Sequence, residues 1–310
     1  MANKTGFDVE SPYLAKAQLT EASVIVLVNS LALAVFLSKK FRVKKSSYLL
    51  VNLTVADLTV GIALLTTSIC KIFLLGDEIA VDLSTRVGYL AVDGSLCSFI
   101  VIAIERTYAV FSPFKHRLLE NKHYALLISI SWILSFLANI HIVLNSRKHY
   151  FFLKVLMSLN MVIVGVGVLV TISCYLAIWI KLRFNKPFLN RRAVPDTRKL
   201  TKTLFIVTAA SFLSYYPATF TVVYALWYDT RVEELFPYLE IVMYSNSFIN
   251  FLVYSFGMEE FRKVLQEFLR KCIPRKWCTP SAQKEIPSYL NQQESRGQPS
   301  LIMMSTFDSS

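Results

Sequence analysis

The chain has 310 residues, of which 54% are hydrophobic and 17% charged, and it carries a formal net charge of +12. A soluble domain of that size and composition would expose large apolar patches, so a membrane protein is expected. The basic excess does not point to nucleic acid, because it is gathered beside apolar runs, where anionic inner-leaflet lipid is the better partner.

Residues 1–19 form an outer N-terminal tail in which Lys4, Asp8, Glu10 and Lys16 are scattered, without the basic start and apolar heart of a cleavable signal. Asn3-Lys4-Thr5 fits a glycosylation acceptor at Asn3; Asn52-Leu53-Thr54 also fits, but it lies within an apolar run and reads as a chance match. Apolar runs at about 20–38, 48–75, 83–112, 123–145, 151–182, 199–228 and 234–256 reach or exceed the length that crosses about 30 Å of hydrocarbon. Lipid cannot satisfy backbone polar groups, so these runs predict helices. The expected fold is an all-α membrane protein, a seven-transmembrane helix bundle over 20–256.

Lys39, Lys40, Arg42, Lys44 and Lys45 follow the first run, Lys115, Arg117 and Lys122 the third, and Arg183, Lys186, Arg191 and Arg192 the fifth. The alternate loops are acidic or mixed, with Asp77, Glu78 and Asp82 after the second run and Asp229, Arg231, Glu233 and Glu234 after the sixth. This asymmetry predicts a plasma-membrane protein with its N-terminus outside and its C-terminus in the cytoplasm. After the last run, residues 257–271 place Phe261, Val264, Leu265 and Phe268 on one face, the pattern of a short amphipathic eighth helix on the cytoplasmic surface. Residues 272–310 read as a disordered tail containing Cys272 and Cys278, which are either palmitoylation sites or free thiols, and serines suited to phosphorylation.

Polar residues inside apolar runs each need a partner. Asn29, Asp57, Ser95, Asn246, Ser247 and Asn250 are so placed and read together as one hydrated cluster around one carboxylate, a monovalent-cation or proton site, with scattered helix-packing residues as the alternative. Asp93 is also interior and has no evident partner: it is either protonated or bonded into the fourth or fifth run. Glu105 and Arg106 stand side by side at the end of the third run, either marking a membrane edge or forming a switch.

Taken in order, these residues resemble the rhodopsin-like (class A) G-protein-coupled receptors over residues 20–270. Asn29 matches the family asparagine of the first helix, Leu53 to Asp57 the Leu-x-x-x-Asp motif, and Glu105-Arg106-Thr107 the Asp/Glu-Arg-Tyr motif with threonine third. Pro113, Trp132, Tyr175 and Pro217 match single family positions, Asn250-Phe251-Leu252-Val253-Tyr254 matches Asn-Pro-x-x-Tyr with phenylalanine for proline, and Phe261 has the eighth-helix spacing. The resemblance implies no enzyme but a receptor that signals to heterotrimeric G proteins, with arrestin binding to a phosphorylated tail. It implies a switch of Glu105, Arg106, Tyr175 and Tyr254, and an allosteric sodium ion at Asp57 as the one bound metal.

Several positions depart from the family pattern. Val81 stands where a cysteine usually anchors the outer disulfide, Tyr215 replaces the sixth-helix tryptophan, Ser211 its aromatic neighbour, and Gly167 the fifth-helix proline. The first and last of these are shared with a group containing melanocortin, cannabinoid, lysophospholipid and adenosine receptors. Gly88 occupies the place of the aminergic aspartate, and the last span has no lysine for retinal. By family position the ligand pocket comprises Gly88, Tyr89, Val92, Tyr215, Thr219, Val222, Glu240 and Tyr244, with a small molecule, lipid or peptide as ligand. The competing readings are an ion or proton transporter using the Asp57 cluster and a receptor-like protein that no longer signals.

Overall fold

A computed structural model describes residues 12–73, 78–140, 150–184, 193–230 and 235–272. Among them there is no β-strand. In chain order the helices are α1 (Pro12–Phe36), α2 (Lys39–Arg42), α3 (Ser47–Phe73), α4 (Glu78–Phe111), α5 (Pro113–Arg117), α6 (Asn121–Ala138), α7 (Tyr150–Phe184), α8 (Ala193–Tyr228), α9 (Phe236–Gly257) and α10 (Glu259–Cys272). Five of them, α1, α3, α4, α7 and α8, contain stretches long and apolar enough to cross a membrane, with mean hydropathy from 1.3 to 2.5.

The helices close into a ring in which α1 packs on α3, α3 on α4, α4 on α7, α7 on α8, α8 on α9, and α9 back on α1. Helix α4 also touches α5, α6 and α8, which makes it the central element. The outward faces are apolar. On α7, Val162, Val166, Leu169 and Leu176 are each more than half exposed at helical spacing, an arrangement that lipid favours and water penalises.

Helix α1 starts eight residues before the expected run. Pro12 suits a first helical position, where its missing N–H has no partner to lose. Leu14 and Gln18 are then buried against the bundle, so tertiary contacts extend a helix whose end is not marked by hydropathy. Helix α4 likewise begins at Glu78 rather than at residue 83, and its polar first turns are helical because Ser84 is buried and bonded to Thr67 of α3 at 2.7 Å. Helix α6 begins with a capping box between Glu120 and His123. Residues 141–145, expected to complete that run, lie outside the described residues.

Pro217 lies within α8, where it removes an N–H from the ladder and leaves the Leu213 carbonyl without its usual partner. The position expected to hold a proline in α7 is Gly167, and packing explains the glycine. A Cβ there would fall 2.4 Å from Ile100 Cδ1, so the bare backbone lets the α4 side chain press against α7. The break between α9 and α10 works similarly. Met258 is extended (φ −112°, ψ 102°), and a Cβ on Gly257 would meet Thr203 Cγ2 and Oγ1 of α8 at 2.5 Å.

The first turns of α10 are pinned by one aromatic anchor. Phe261 is fully buried, with ring centroids 5.2 Å from Phe36 and 5.8 Å from Tyr254. Such ring pairs contribute about 0.5–1.5 kcal/mol each beyond burial. Val264 and Leu265 follow Phe261 inward, while Phe268, expected on the same face, stays at the rim with 37% exposure. Lys40 pairs with Glu267 at 2.8 Å and Lys44 with Glu260, but exposed ion pairs contribute little beside the rings.

Candidate functional site

At one end of α4 the Glu105 side chain is 1% exposed, although it is a carboxylate. Burial of that kind requires partners. Arg106 Nε lies 2.8 Å from Glu105 Oε2, with the N–H not aligned for a hydrogen bond, so the contact is an ion pair rather than a directed bond. The other oxygen, Oε1, is 2.6 Å from His116 Nε2 of α5 and accepts from the Tyr124 hydroxyl of α6 at 3.3 Å. Among the described residues Arg106 forms no other ion pair. Two tyrosines complete this end. Tyr175 of α7 and Tyr254 of α9 are buried, and neither hydroxyl makes a hydrogen bond, although the Thr208 side chain of α8 lies beside that of Tyr175.

Deeper in the bundle, Asp57 of α3 is 0% exposed. Its Oδ1 accepts from Ser95 Oγ of α4 at 2.8 Å and its Oδ2 from Asn250 Nδ2 of α9 at 2.6 Å. The Ser247 side chain faces the same carboxylate. Asn29 of α1 turns instead to backbone, donating to the Ser247 carbonyl at 2.8 Å and the Ile25 carbonyl at 3.0 Å, which ties α1 to α9. Asn246 Oδ1 accepts from Ser211 Oγ of α8. The six residues read as one cluster are therefore all buried, but Asn29 and Asn246 bond to groups other than Asp57.

At the opposite end a cavity of about 370 Å³ opens between α4, α6, α7, α8 and α9. Asp82 and Arg86, paired at 2.8 Å, stand among its lining, and Asp93, Asn139 and Asn160 form a polar group within it. Asp93 Oδ2 accepts from Nδ2 of Asn139, the residue that caps the end of α6, at 2.6 Å and from Asn160 Nδ2 of α7 at 3.3 Å, and the Tyr215 hydroxyl lies beside the same carboxylate. Asp93 is thus bonded to both of the neighbouring helices that sequence left as alternatives.

The family model for "7 transmembrane receptor (rhodopsin family)" matches residues 28–254. The chain belongs to the rhodopsin family of seven-transmembrane receptors. Among curated relatives it is similar to muscarinic acetylcholine receptor M3 of Sus scrofa, 28% identical over 120 residues, which is 37% of this chain and 20% of that protein. The Gallus gallus receptor of the same name is 29% identical over 119 residues, 37% of this chain and 19% of its own length. The match thus spans about a fifth of these relatives.

In this rhodopsin-family receptor the positions expected to form one ligand pocket divide between two. Tyr89, Val92, Tyr215, Thr219 and Val222 line the 370 Å³ cavity, whereas Gly88, Glu240 and Tyr244 line a separate 50 Å³ pocket toward α1 and α3. The division arises because the Tyr89 hydroxyl donates to Glu240 Oε1 at 2.6 Å, placing a closed α4–α9 bond between the two spaces. Glu240 is accordingly a bonded, half-buried carboxylate rather than a solvated one.

Asp93 was legible as a buried acid; its partners Asn139 and Asn160 also interrupt apolar runs, but nothing local says that they pair with it. His116 carried none either, since a histidine in a loop is usually solvated. Asn52 is 8% exposed, donates to Ser98 Oγ at 2.8 Å and accepts from Trp132 Nε1 at 2.9 Å, so it is a packing residue of the receptor interior. Cys70, Cys97 and Cys174 are free thiols. Asn3, Cys278 and the tail serines lie outside the described residues, and Cys272 is the last residue of α10.

Proposed function

We propose that this receptor carries an extracellular ligand signal to heterotrimeric G proteins from the plasma membrane, with its N-terminus outside and its C-terminus in the cytoplasm. The seven spans are α1, α3, α4, α6, α7, α8 and α9, and α10 is the cytoplasmic eighth helix. The reading is carried by the Glu105–Arg106 pair: a buried carboxylate holds a single arginine at the basic end of the bundle. The buried, unbonded hydroxyls of Tyr175 and Tyr254 supply acceptors for that arginine once α8 swings outward. Agonist shifts such a two-state equilibrium only by its differential affinity for the two states. A phosphorylated tail would offer arrestin a second docking element, and acyl chains on Cys272 and Cys278 would add lipid anchors.

Agonist-free nucleotide exchange on purified G proteins tests this reading, comparing the native receptor with Arg106→Ala and Asp57→Asn. Arg106→Ala is expected to lose exchange at equal surface expression. Ion flux that survives Arg106→Ala and disappears in Asp57→Asn would instead establish a transporter, a reading that the family match disfavours.

A sodium ion fits the Asp57 cluster. Asn250 Oδ1 is buried with no hydrogen-bond partner beside the carboxylate, and hard cations take oxygen ligands. Asp57, Ser95 and Asn250 would hold the ion, whose positive charge would offset that of the buried acid. Sodium is expected to raise the melting temperature over equal potassium in the native receptor and not in Asp57→Asn. Equal effects of the two salts would exclude the site.

Acetylcholine, which the relatives' name specifies, is not carried over. Gly88 replaces the aminergic aspartate, and the similarity covers 37% of this chain.

A further inference from the structure

We propose that the floor of the 370 Å³ cavity is a recognition subsite for a ligand cation bearing at least two N–H donors, a primary ammonium, amidinium or guanidinium, held by Asp93 and Asn160. The inference rests on the receptor reading and specifies the ligand class of its cavity.

Two buried acceptors in the cavity lining lack partners. Asp93 Oδ1 and Asn160 Oδ1 are both shielded from solvent and neither accepts a hydrogen bond, although Asp93 is only 3% exposed and Asn160 only 6%. Buried acceptors are costly when unmet, so a pair of them in one cavity defines what must complete it. The orientation of Asn160 is fixed by its neighbour. Its Nδ2 faces Asp93 Oδ2 at 3.3 Å, and a flipped amide would set its oxygen against the carboxylate. Asn160 Oδ1 therefore remains an acceptor. The Tyr215 hydroxyl lies within reach of both Asp93 and Asn160 but makes no hydrogen bond to Oδ1, so a ligand donor at that atom competes only with this hydroxyl.

Charge selects further. Among the described residues the lining contains the carboxylates of Asp82 and Asp93 against the cation of Arg86, which is already paired with Asp82. Asp93 is thus the charge that a ligand would have to balance. A neutral apolar ligand would leave both acceptors unmet, and a quaternary ammonium would balance charge while donating nothing. Each unmade charge-assisted bond weakens binding by roughly tenfold. The subsite is distinct from the aminergic position at Gly88, because Asp93 lies five residues further along α4, about 7.5 Å deeper by helical rise.

The placement also connects ligand to switch. Asp93 is bonded to α6 and α7 and lies beside Tyr215 of α8, while Ser211, one turn along α8, donates to Asn246 of α9. A donor group seated here would touch α4 and α7 at the level where α8 must move.

The test uses the full-length receptor in lipid nanodiscs and the smallest probes with the required chemistry. Thermal unfolding is followed with millimolar methylguanidinium, methylammonium and tetramethylammonium chlorides at matched ionic strength. The first two are expected to raise the melting temperature saturably and tetramethylammonium to do nothing. Asp93→Asn should abolish the protection, and Asn160→Ala, which leaves the carboxylate in place, should weaken it by roughly tenfold. No protection by either donor cation, equal protection by tetramethylammonium, or protection unchanged in Asn160→Ala would overturn the subsite. G-protein nucleotide exchange on the same samples separates the two claims. Exchange without cation protection keeps the receptor and rejects the subsite, whereas protection with no exchange either in the absence or in the presence of the cations keeps the subsite and removes its link to G-protein signalling.

Discussion

Glu105→Gln is expected to raise agonist-free nucleotide exchange by about tenfold, the largest gain of any single change at the switch. Glutamine preserves the shape of the side chain and one acceptor oxygen, so the difference isolates the charge. Glu105 is the one ion-pair partner that Arg106 has among the described residues, at 2.8 Å. Losing it raises the resting state relative to any state in which the arginine has turned away. Removing one partner of a buried ion pair costs up to about 3–5 kcal/mol, and about 1.4 kcal/mol is already a factor of ten in population.

The other two contacts set an order. His116→Ala removes the 2.6 Å partner of Oε1 but leaves Arg106 paired, so its gain should be smaller, and Tyr124→Phe, which removes a 3.3 Å contact, should gain least. Exchange rates normalised to receptor amount check the series. Unchanged basal exchange in Glu105→Gln, with intact expression, would mean that the pair anchors the helix end without gating it.

What sequence revealed and what it concealed have one physical cause. Hydropathy and loop charge act locally, so the apolar runs, Pro217 and the apolar face around Phe261 could be read from neighbouring residues. The individual buried polar positions could be read too, since Asn29, Asp57 and Asp93 each interrupt an apolar stretch. Pairing between helices is not local. Asn139 and Asn160 reach Asp93 across 46 and 67 residues of chain, and nothing in either segment marks the partner. Ser211 looked like a lost aromatic contact, and only the packing of α8 on α9 shows it replaced by a hydroxyl bonded to Asn246. The divided pocket has the same origin, because the Tyr89–Glu240 bond joins residues 151 apart. Helix α1 shows the complementary case: its extra turns are stabilised by burial of Leu14 and Gln18, which hydropathy cannot register.

Asn250→Leu should destabilise the receptor by about 3 kcal/mol, and adding Asp57→Leu should restore much of that loss. The single change removes the 2.6 Å N–H donor from Asp57 Oδ2 and puts a hydrocarbon in its place, leaving a fully buried carboxylate with the Ser95 hydroxyl at 2.8 Å on Oδ1 and the Ser247 side chain facing it. Stripping one partner from a buried charge incurs the desolvation penalty of the group left behind, whereas replacing both partners with apolar side chains removes the penalty along with the interaction. The two substitutions are therefore expected to be strongly non-additive, with the double variant more stable than Asn250→Leu alone. Asp57→Asn, which removes charge but retains an acceptor for Ser95, should fall between the native receptor and Asn250→Leu. Thermal unfolding of the native receptor, Asn250→Leu, Asp57→Leu and the double variant in nanodiscs measures the cycle, with Asp57→Asn read alongside. A double variant less stable than Asn250→Leu would show that Asp57 is stabilised chiefly by groups other than Asn250, and the cluster would then have to be reassigned around Ser95 and Ser247.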